Sequence, residues 1–206
     1  MHVNLRRYPT IGVARGTIEE AVKKELLPAL QSEPGLEAYF TFWDEAGAGI
    51  SVSSFTDAEA AHRSTSVARR WLASHTNFFP APGEEFSGEC FVHEEARRAA
   101  GAEDLAPYVL IRVLADVPAT QDTRAFVEQR TLPMIARSPG FRAVWMARSD
   151  REIGGAAVVT FFDKPDNAMA CHEAAVALLR EGLPAVSVTR VTQGRAVIAC
   201  RRPKAT

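Results

Sequence analysis

The chain has 206 residues, of which 47% are hydrophobic and 24% are charged, and its net charge is −1. This composition excludes an intrinsically disordered chain, which needs low hydrophobicity and a high net charge. The 24 basic and 25 acidic residues leave no overall basic field to hold nucleic acid or an anionic membrane surface. We therefore expect one or two globular domains that bind neither nucleic acid nor membrane.

The cysteines and the first residues favour the cytoplasm. Cys90, Cys171 and Cys200 are odd in number, far apart and without C-x-x-C spacing, so we expect neither a disulfide framework nor a zinc site. The residues after Met1 do not show a basic start followed by an apolar run, and no stretch approaches the ~18 apolar residues of a membrane span. We expect a cytoplasmic protein.

Apolar periodicity and turn signals predict six elements in the first half of the chain. Thr17 followed by Glu20 is typical of a capping box at a helix start, and Asp57 is a typical N-cap. Pro34-Gly35 ends the first helix. In chain order the elements are a strand over 3–8, a helix that begins at 17, strands over 36–43 and 50–55, a helix over 58–74 and a strand over 86–92.

The second half repeats this order. Matching motifs lie 105 residues apart, and the displacement becomes 106 further along the chain. Ordered matches with one small shift indicate two copies of one unit. The matches include Leu27-Pro28 with Leu132-Pro133, Pro34-Gly35 with Pro139-Gly140, Arg7 with Arg112, and Phe55 with Phe161. We predict a first unit over 1–93, a linker over 94–106 and a second unit over 107–202.

The order βαββαβ in each unit predicts an α+β fold of two tandem ferredoxin-like units. Each unit would form a four-stranded antiparallel sheet with both helices on one face. Packing the two bare sheet faces together would give an intramolecular dimeric α/β barrel. In the second unit we expect a strand over 108–114, a helix over 120–136, strands over 141–147 and 156–162, a helix over 165–180 capped by Asp163, and a strand over 186–200.

The motif L-P-x(5)-P-G, a hairpin that ends in S-V-x-x-F-x-D and an alanine-rich second helix resemble the dimeric α/β-barrel superfamily. The closest resemblance is to its antibiotic-biosynthesis monooxygenase-like domains, and it covers nearly the whole chain, twice. The resemblance implies a small-molecule pocket between the sheet and the helices of one unit. Known members include cofactor-free oxygenases of polyphenolic substrates, haem-degrading enzymes and domains without a known reaction, so the fold alone does not choose the activity.

The resemblance implies that pocket residues come from the first strand, the hairpin and the second helix. Such positions in the second unit hold Arg112, Trp145 and His172. The first unit is richer in polar aromatic residues, so we expect the site there. The expected catalytic residues are His62, Trp71 and His75, and the expected substrate-binding residues are Asn4, Tyr39, Trp43, Asn77 and Phe78.

We expect a cofactor-independent monooxygenase that acts on a hydrophobic, polyphenolic or quinone-like small molecule. A phenolate or anthrone-type carbanion reacts with O₂ once it is deprotonated and shielded from water, so the protein must position the molecule and stabilise its anion. Trp71, Tyr39 or Asn77 would donate hydrogen bonds to the oxyanion. His62 or His75 would accept the proton. Because no H-E-x-x-H motif, Cys/His cluster or phosphate-binding loop is present, we expect neither a metal nor a cofactor.

Each candidate also has a purely structural interpretation. Trp71 fits a core position, His62 a solvated surface and His75 a helix C-cap. Tyr39 and Trp43 share one face of a strand, and that face lies against either the helices or the other sheet.

Two other functions stay open. The first alternative is a non-catalytic small-molecule-binding or structural α/β-barrel protein, and the second is a haem-degrading oxygenase. Asn4, Trp71 and His75 resemble the haem-degrading set, but His75 follows Trp71 by one helical turn, which is closer than in that pattern. The expected partner is a hydrophobic small molecule, and the chain would be a monomer with an internal pseudo-dimer or a homodimer.

Overall fold

Two units of mixed helix and strand follow one another along the chain. The structure is a computed structural model that describes residues 1–81, 83–96 and 106–202. Unit 1 comprises residues 1–89 together with those from 196 onward, and unit 2 comprises residues 90–195. Most of the predicted linker over 94–106 lies outside the described residues.

The sheet of unit 1 is antiparallel, with the strand order β4-β1-β3-β2-β9. Its elements are β1 (His2–Tyr8), α1 (Arg15–Ala21), a π-helical turn (Val22–Leu26), α2 (Leu27–Ser32), β2 (Leu36–Trp43), β3 (Gly49–Phe55), α3 (Ala58–Ser74), the first part of β4 (Glu84–Glu95) and β9 (Ile198–Arg201).

The sheet of unit 2 has the strand order β8-β5-β7-β6, followed by the last residues of β4. Within the described ranges of the chain, no helix combines the length and the apolar content needed to cross a membrane. The remaining elements of unit 2 are β5 (Tyr108–Ala115), α4 (Gln121–Phe126), a second π-helical turn (Val127–Thr131), α5 (Leu132–Ala136), β6 (Phe141–Ser149), β7 (Ala156–Phe162), α6 (Pro165–Gly182) and β8 (Ser187–Arg195).

The end of the chain differs from the prediction of one strand over 186–200. β8 ends at Arg195, and the next residues leave its sheet to pair with β2 of unit 1. The backbone N–H of Val197 donates to the carbonyl of Thr41 at 2.8 Å, and Ile198 lies opposite Thr41. This fifth strand covers the edge of β2, whose backbone groups would otherwise lack partners.

The predicted cap at Asp57 is confirmed, and the structure shows a second cap at Thr120, where the predicted helix begins. The Asp57 carboxylate accepts a hydrogen bond from the Ala60 N–H at 2.8 Å, and the Thr120 hydroxyl accepts one from the Thr123 N–H at 3.2 Å. These side chains satisfy N–H groups in the first turns of α3 and α4, which have no partner inside their helix.

Two other predicted caps are wrong. α1 begins before Thr17, with Ala14 as its N-cap, because the Thr17 N–H already donates to the Ala14 carbonyl at 3.0 Å. The N-cap of α6 is Lys164 and not Asp163. The Asp163 carboxylate instead accepts a hydrogen bond from the Asn167 side chain at 2.7 Å.

The repeated Leu-Pro pair explains the π-helical turn in each unit. Proline has no N–H to donate, and its ring clashes with the carbonyl four residues earlier in an α-helix. In unit 1 the turn before Pro28 is widened, and the Leu27 N–H donates to the Val22 carbonyl five residues back. The same widening precedes Pro133.

The repeated Pro-Gly pair is needed for the turn from helix to strand. Gly35 and Gly140 have φ angles of +95° and +68°, in the region that favours glycine. A Cβ atom on Gly35 would lie 2.6 Å from the Cβ of Ala60, and one on Gly140 would lie 1.8 Å from a carboxylate oxygen of Asp163. Both glycines are therefore required by backbone geometry and by close packing.

Strand register corrects one predicted match between the units. In unit 1 Phe55 lies opposite His2. In unit 2 the residue opposite Tyr108, at the start of β5, is Phe162. Phe162 therefore corresponds to Phe55, whereas the sequence match predicted Phe161.

Counting along the strands from these two residue pairs also changes which arginine of unit 1 corresponds to Arg112. Four residues after these pairs, β1 carries Arg6 and β5 carries Arg112, so Arg112 corresponds to Arg6 and not to Arg7. Side chains alternate along a strand, and this shift of one residue decides which arginine lies on the helix-covered face.

We expect Gly35→Ala to lower the free energy of unfolding by more than ~1 kcal/mol, because the new side chain combines an unfavourable φ angle with a steric clash. Chemical denaturation measures the change. Gly16→Ala is the control: Gly16 lies in α1 and a Cβ there meets nothing within 4 Å. Alanine should stabilise this position by up to ~1 kcal/mol, and equal destabilisation by both variants would contradict the explanation.

Candidate functional site

Unit 1 contains a cavity between its sheet and its helices, hereafter the unit 1 cavity. Its volume is about 60 Å³, which exceeds the ~10–15 Å³ that one water molecule needs. Most of the lining is aliphatic or aromatic, and a few polar groups interrupt it, as is typical of small-molecule sites. The lining residues that matter for chemistry are Arg6, Tyr8, Glu19, Tyr39, Trp43 and Trp71.

The sequence left open which face of β2 lies against the helices, and the structure shows which one does. Tyr39 packs in the core beneath the helices, and Trp43 packs against that core. Both residues line the unit 1 cavity. Phe40 and Phe42 lie on the opposite face of the strand and are fully buried.

Two phenols border the cavity as neutral hydrogen-bond donors. Burial raises the pKa of Tyr39 well above its usual value; the nearby Tyr8 raises it further, and Arg6 opposes the shift. Burial is also the main cause that raises the pKa of Tyr8, whose ring stacks on Phe79 at 4.1 Å. The Tyr39 hydroxyl has no hydrogen-bond partner among the described residues, so it is available to a ligand oxygen.

Arg6 brings a positive charge to the same cavity. Its Nη2 donates to the Thr65 hydroxyl at 2.9 Å, and its Nε lies 3.5 Å from a carboxylate oxygen of Glu85. Asn4 is also buried and donates from Nδ2 to the Thr65 hydroxyl at 3.3 Å, while its Oδ1 has no partner among the described residues. Strand alternation places both β1 side chains against α3.

Each tryptophan of unit 1 donates its indole N–H to a glutamate. Trp43 donates to Glu19 at 2.7 Å, and Trp71 donates to Glu25 at 3.1 Å. The Arg15 guanidinium lies over the Trp43 ring at 5.3 Å. Because both N–H groups are occupied, the two rings can serve as walls for a planar ligand.

His75 belongs to the supporting structure beside the cavity. It is the C-cap of α3, and its ring stacks on Trp71 at 4.5 Å. Its Nδ1 lies 2.9 Å from the Trp71 carbonyl and its Nε2 lies 3.2 Å from Glu25. Both ring nitrogens are thus engaged within the protein, and His75 does not line the cavity.

The structure brings some of the predicted site residues together and separates others. Tyr39, Trp43 and Trp71 line the cavity. Asn4, His75 and Phe78 lie in the layer behind or beside them, with Phe78 buried in the core. His62 and Asn77 are exposed and do not border the cavity. The position of His62 on the outer face of α3 matches its surface interpretation.

Four side chains at or beside the cavity were not among the predicted site residues: Arg6, Tyr8, Glu19 and Glu25. Arg6 and Tyr8 share a strand face with Asn4, and this period of two could have indicated them. Glu25 lies in the π-helical turn, whose irregular spacing is not visible in a search for helical periodicity.

In the described part of the chain, no group of three or more His, Cys, Asp or Glu residues is arranged to hold a metal ion. The three cysteines are free thiols.

The candidate residues of unit 2 make two separate sets of contacts. Trp145 packs on Phe161 with ring centroids 4.7 Å apart. The Nε of Arg112 donates to the Nδ1 of His172 at 3.0 Å, and Arg112 lines a separate, mostly apolar cavity in unit 2.

Comparison with known proteins shows the fold class. No protein-family model and no curated protein matches the sequence. The "putative monooxygenase" of Fusobacterium nucleatum superposes with a TM-score of 0.75 at 11% identity, over 98% of this chain and 94% of that one. An anthrone oxidase-like protein gives a TM-score of 0.66 at 13% identity, over 97% and 92%.

A haem-binding protein of Thermus thermophilus also superposes, with a TM-score of 0.59 at 11% identity, over 96% of this chain and 91% of that one. Chlorite dismutases are among the similar structures as well. At these identities the likeness concerns the fold alone. It confirms the α+β fold class expected from the sequence.

We expect Tyr39 to make the stability of the protein fall at high pH. The pKa of Tyr39 is raised in the folded state. The contribution of the neutral Tyr39 hydroxyl to the free energy of unfolding is therefore fully present below the unfolded-state pKa of ~10. This contribution is lost as the pH rises toward the folded-state pKa. Above pH ~10 this contribution should fall by about 1.4 kcal/mol per pH unit. Tyr39→Phe should show a shallower slope than wild type in denaturation series at pH 8 to 11, with Tyr8, whose pKa is also raised, responsible for the part that remains.

Thr41→Val is the control for this measurement. It removes a hydroxyl that lines the same cavity from the same strand, but it leaves the phenol in place. A wild-type slope that persists in Tyr39→Phe would show that another group is responsible.

Proposed function

We propose that unit 1 is a cofactor-independent monooxygenase that acts on a hydrophobic, polyphenolic or quinone-like small molecule. The observation that carries this proposal is the unit 1 cavity itself, where the Arg6 cation and the neutral Tyr39 phenol lie among tryptophan walls. Such a site favours a planar aromatic molecule that develops negative charge on an oxygen.

The first step is removal of a proton from the substrate. Glu19 is the carboxylate that lines the cavity, and its Oε1 is held by the Trp43 indole. We assign the proton-accepting role to Glu19, because His62 lies at the surface and both nitrogens of His75 are engaged. A base positioned in this way contributes ~10²- to 10⁴-fold to the rate.

The anion is stabilised by groups that are already in place. Arg6 supplies a positive charge that Thr65 and Glu85 hold in position, and Tyr39 supplies an O–H donor without a competing partner. Preorganised donors of this kind act at the moment when charge develops and do not have to reorganise. Trp43 and Trp71 orient the ring and exclude water.

O₂ completes the reaction without a further reductant. The substrate carbanion transfers one electron to O₂, and the resulting radical pair forms a C–O bond as a peroxide. The peroxide takes a proton from Glu19, the O–O bond breaks, and water leaves while the substrate CH₂ becomes a carbonyl. The substrate gives up four electrons and O₂ accepts four, so that one oxygen atom enters the product and the other enters water.

The names of two structurally similar proteins agree with the proposed reaction class. The Fusobacterium protein and the anthrone oxidase-like protein both carry names of oxygen-using enzymes. The identities are low, so the proposal depends on the cavity and not on these names.

A non-catalytic small-molecule-binding protein is the second candidate. The observation that favours it is the position of the histidines, since neither His62 nor His75 lines the cavity. The same walls and donors would then hold a ligand without converting it. Haem degradation is not favoured, because the ring nitrogens of His75 are already occupied within the protein.

Oxygen uptake by the purified chain in the presence of a chelator tests the reaction, with anthrones, hydroquinones and naphthols as substrates and with spontaneous oxidation subtracted. We expect Glu19→Gln to lower the rate at least ~10²-fold, because the base is lost. Arg6→Met and Tyr39→Phe should each lower the rate by ~10- to 10³-fold, because the anion loses a stabilising group.

Glu20→Gln is the matched control. Glu20 lies next to Glu19 on the same helix, but it is exposed and pairs with Lys24. It should leave the uptake unchanged. If wild-type protein binds the panel tightly but consumes no O₂ above background, the binding-protein candidate replaces the oxygenase.

A further inference from the structure

Glu25 and His75 form a cluster with Trp71 beside the unit 1 cavity. The Trp71 ring lines the cavity, whereas Glu25 and His75 do not. One carboxylate oxygen of Glu25, Oε2, lies 3.1 Å from the indole Nε1 of Trp71 and 3.2 Å from the Nε2 of His75. A single oxygen atom therefore contacts both a wall of the cavity and the histidine ring that stacks on this wall.

The hydrogen-bond geometry indicates the protonation state of His75. Its Nδ1 lies 2.9 Å from the Trp71 carbonyl oxygen, which can only accept, so Nδ1 carries a proton. The Ser74 hydroxyl lies 3.1 Å from Nδ1, but its own proton is donated to the same carbonyl at 2.8 Å. Nε2 faces the Glu25 carboxylate, which also only accepts. Both ring nitrogens therefore act as donors, and His75 is an imidazolium ion.

The surroundings of His75 favour this positive charge. His75 is the C-cap of α3, and the C-terminal end of a helix carries partial negative charge. Its ring contacts Glu25 from the π-helical turn, Trp71 and Ser74 from α3, and Phe78 from the loop that follows. Within the described ranges, Glu25 is the only ionisable side chain that pairs with this ring. No basic side chain paired with it opposes the charge there.

Unit 2 has an ion pair between the same two elements, with the charges reversed. Arg130 occupies the same place in the second π-helical turn as Glu25 in the first, and it pairs at 2.8 Å with Glu181 near the end of α6. A charged link between this turn and the following long helix is thus a feature of both units. The link of unit 1 differs in two ways: its cation is a histidine, and its carboxylate also holds Trp71.

We propose that Glu25 and His75 are positioning residues that fix Trp71 as a wall of the unit 1 cavity, and that this contact depends on the protonation of His75. When Nε2 loses its proton, two acceptors face each other across 3.2 Å, so Glu25 turns away and the indole N–H loses its acceptor. Trp71 is then free to tilt. The effect on the reaction rests on the proposed oxygenase function, whereas the effect on Trp71 does not.

Nuclear magnetic resonance of the isotope-labelled full chain tests the inference. The chain has three tryptophans, each of which gives one indole N–H signal, and the signals of Trp71 and Trp43 are identified by their loss in Trp71→Phe and Trp43→Phe. We expect the Trp71 signal to shift along a titration curve between pH ~5.5 and ~8, where histidine side chains titrate. The Trp43 signal is the internal control, because Trp43 donates to Glu19 and not to a partner of a histidine.

Two variants separate the partners of Trp71. His75→Gln removes the titrating ring, and the Trp71 signal should then keep one position throughout this pH range. Glu25→Gln has the same size without the charge and should also abolish the titration. His62→Gln is the matched control, because His62 lies on the same helix but is exposed. In this control the Trp71 signal should titrate as in wild type, and an unchanged Trp43 signal in each variant shows that unit 1 is folded.

The proposed reaction provides a second measurement, made with a substrate of the oxygen-uptake panel. The KM of His75→Gln should exceed that of wild type by ~2- to 5-fold at pH ~5.5, the effect expected of a partly exposed charge pair. At pH ~8 the two KM values should be equal, because wild-type His75 is then neutral as well. Comparison at the same pH cancels any ionisation of the substrate itself.

A Trp71 signal that does not titrate in wild type, or that titrates equally in His75→Gln or Glu25→Gln, would overturn the inference. A titrating signal together with equal KM values at both pH values would overturn the positioning role. Failure of the whole panel to consume O₂ would contradict the proposed function alone, because the Trp71 signal is measured without substrate.

Discussion

The guanidinium groups of Arg6 and Arg112 are buried between a sheet and the helices that cover it. Burial of a charge is unfavourable unless hydrogen bonds and an opposite charge replace the lost water. In unit 1 Thr65 and Glu85 provide these contacts. In unit 2 His172 accepts one hydrogen bond from the guanidinium, and no carboxylate among the described residues forms an ion pair with it. The groups that contact this strand arginine therefore differ between the two units.

The two cavities differ further in their walls. The unit 1 cavity has tryptophans, phenols and a carboxylate, whereas that of unit 2 is lined mainly by aliphatic side chains. Trp71 and Glu25 illustrate the difference: the glutamate reaches the indole from the π-helical turn. The same turn in unit 2 has Arg130 in the place of Glu25, and Arg130 pairs with the exposed Glu181. Units with the same order of elements thus provide different chemistry.

Much of the fold was predictable from local signals. The Leu-Pro and Pro-Gly pairs act through the backbone geometry of proline and glycine, which does not depend on contacts with distant parts of the chain. The Asp57 cap was predictable because it too depends on residues close together in the chain. The fifth strand of unit 1 was not predictable, because β9 pairs with a strand more than 150 residues away and its residues carry no mark of that partner. The caps expected at Thr17 and Asp163 were wrong because these helices begin at other residues, with Ala14 and Lys164 as their N-caps.

The candidate site was predictable only in part. Residue type and strand period identified Tyr39, Trp43 and Trp71, but the same reasoning included the exposed His62 and Asn77. By itself the sequence determined the order of elements, the turns and the amphipathic faces, because these depend on residues close together in the chain. Only the tertiary structure decided which face of β2 meets the helices and which arginine is buried there. These outcomes depend on strand register and on packing between distant segments, where a shift of one residue exchanges the inside for the outside.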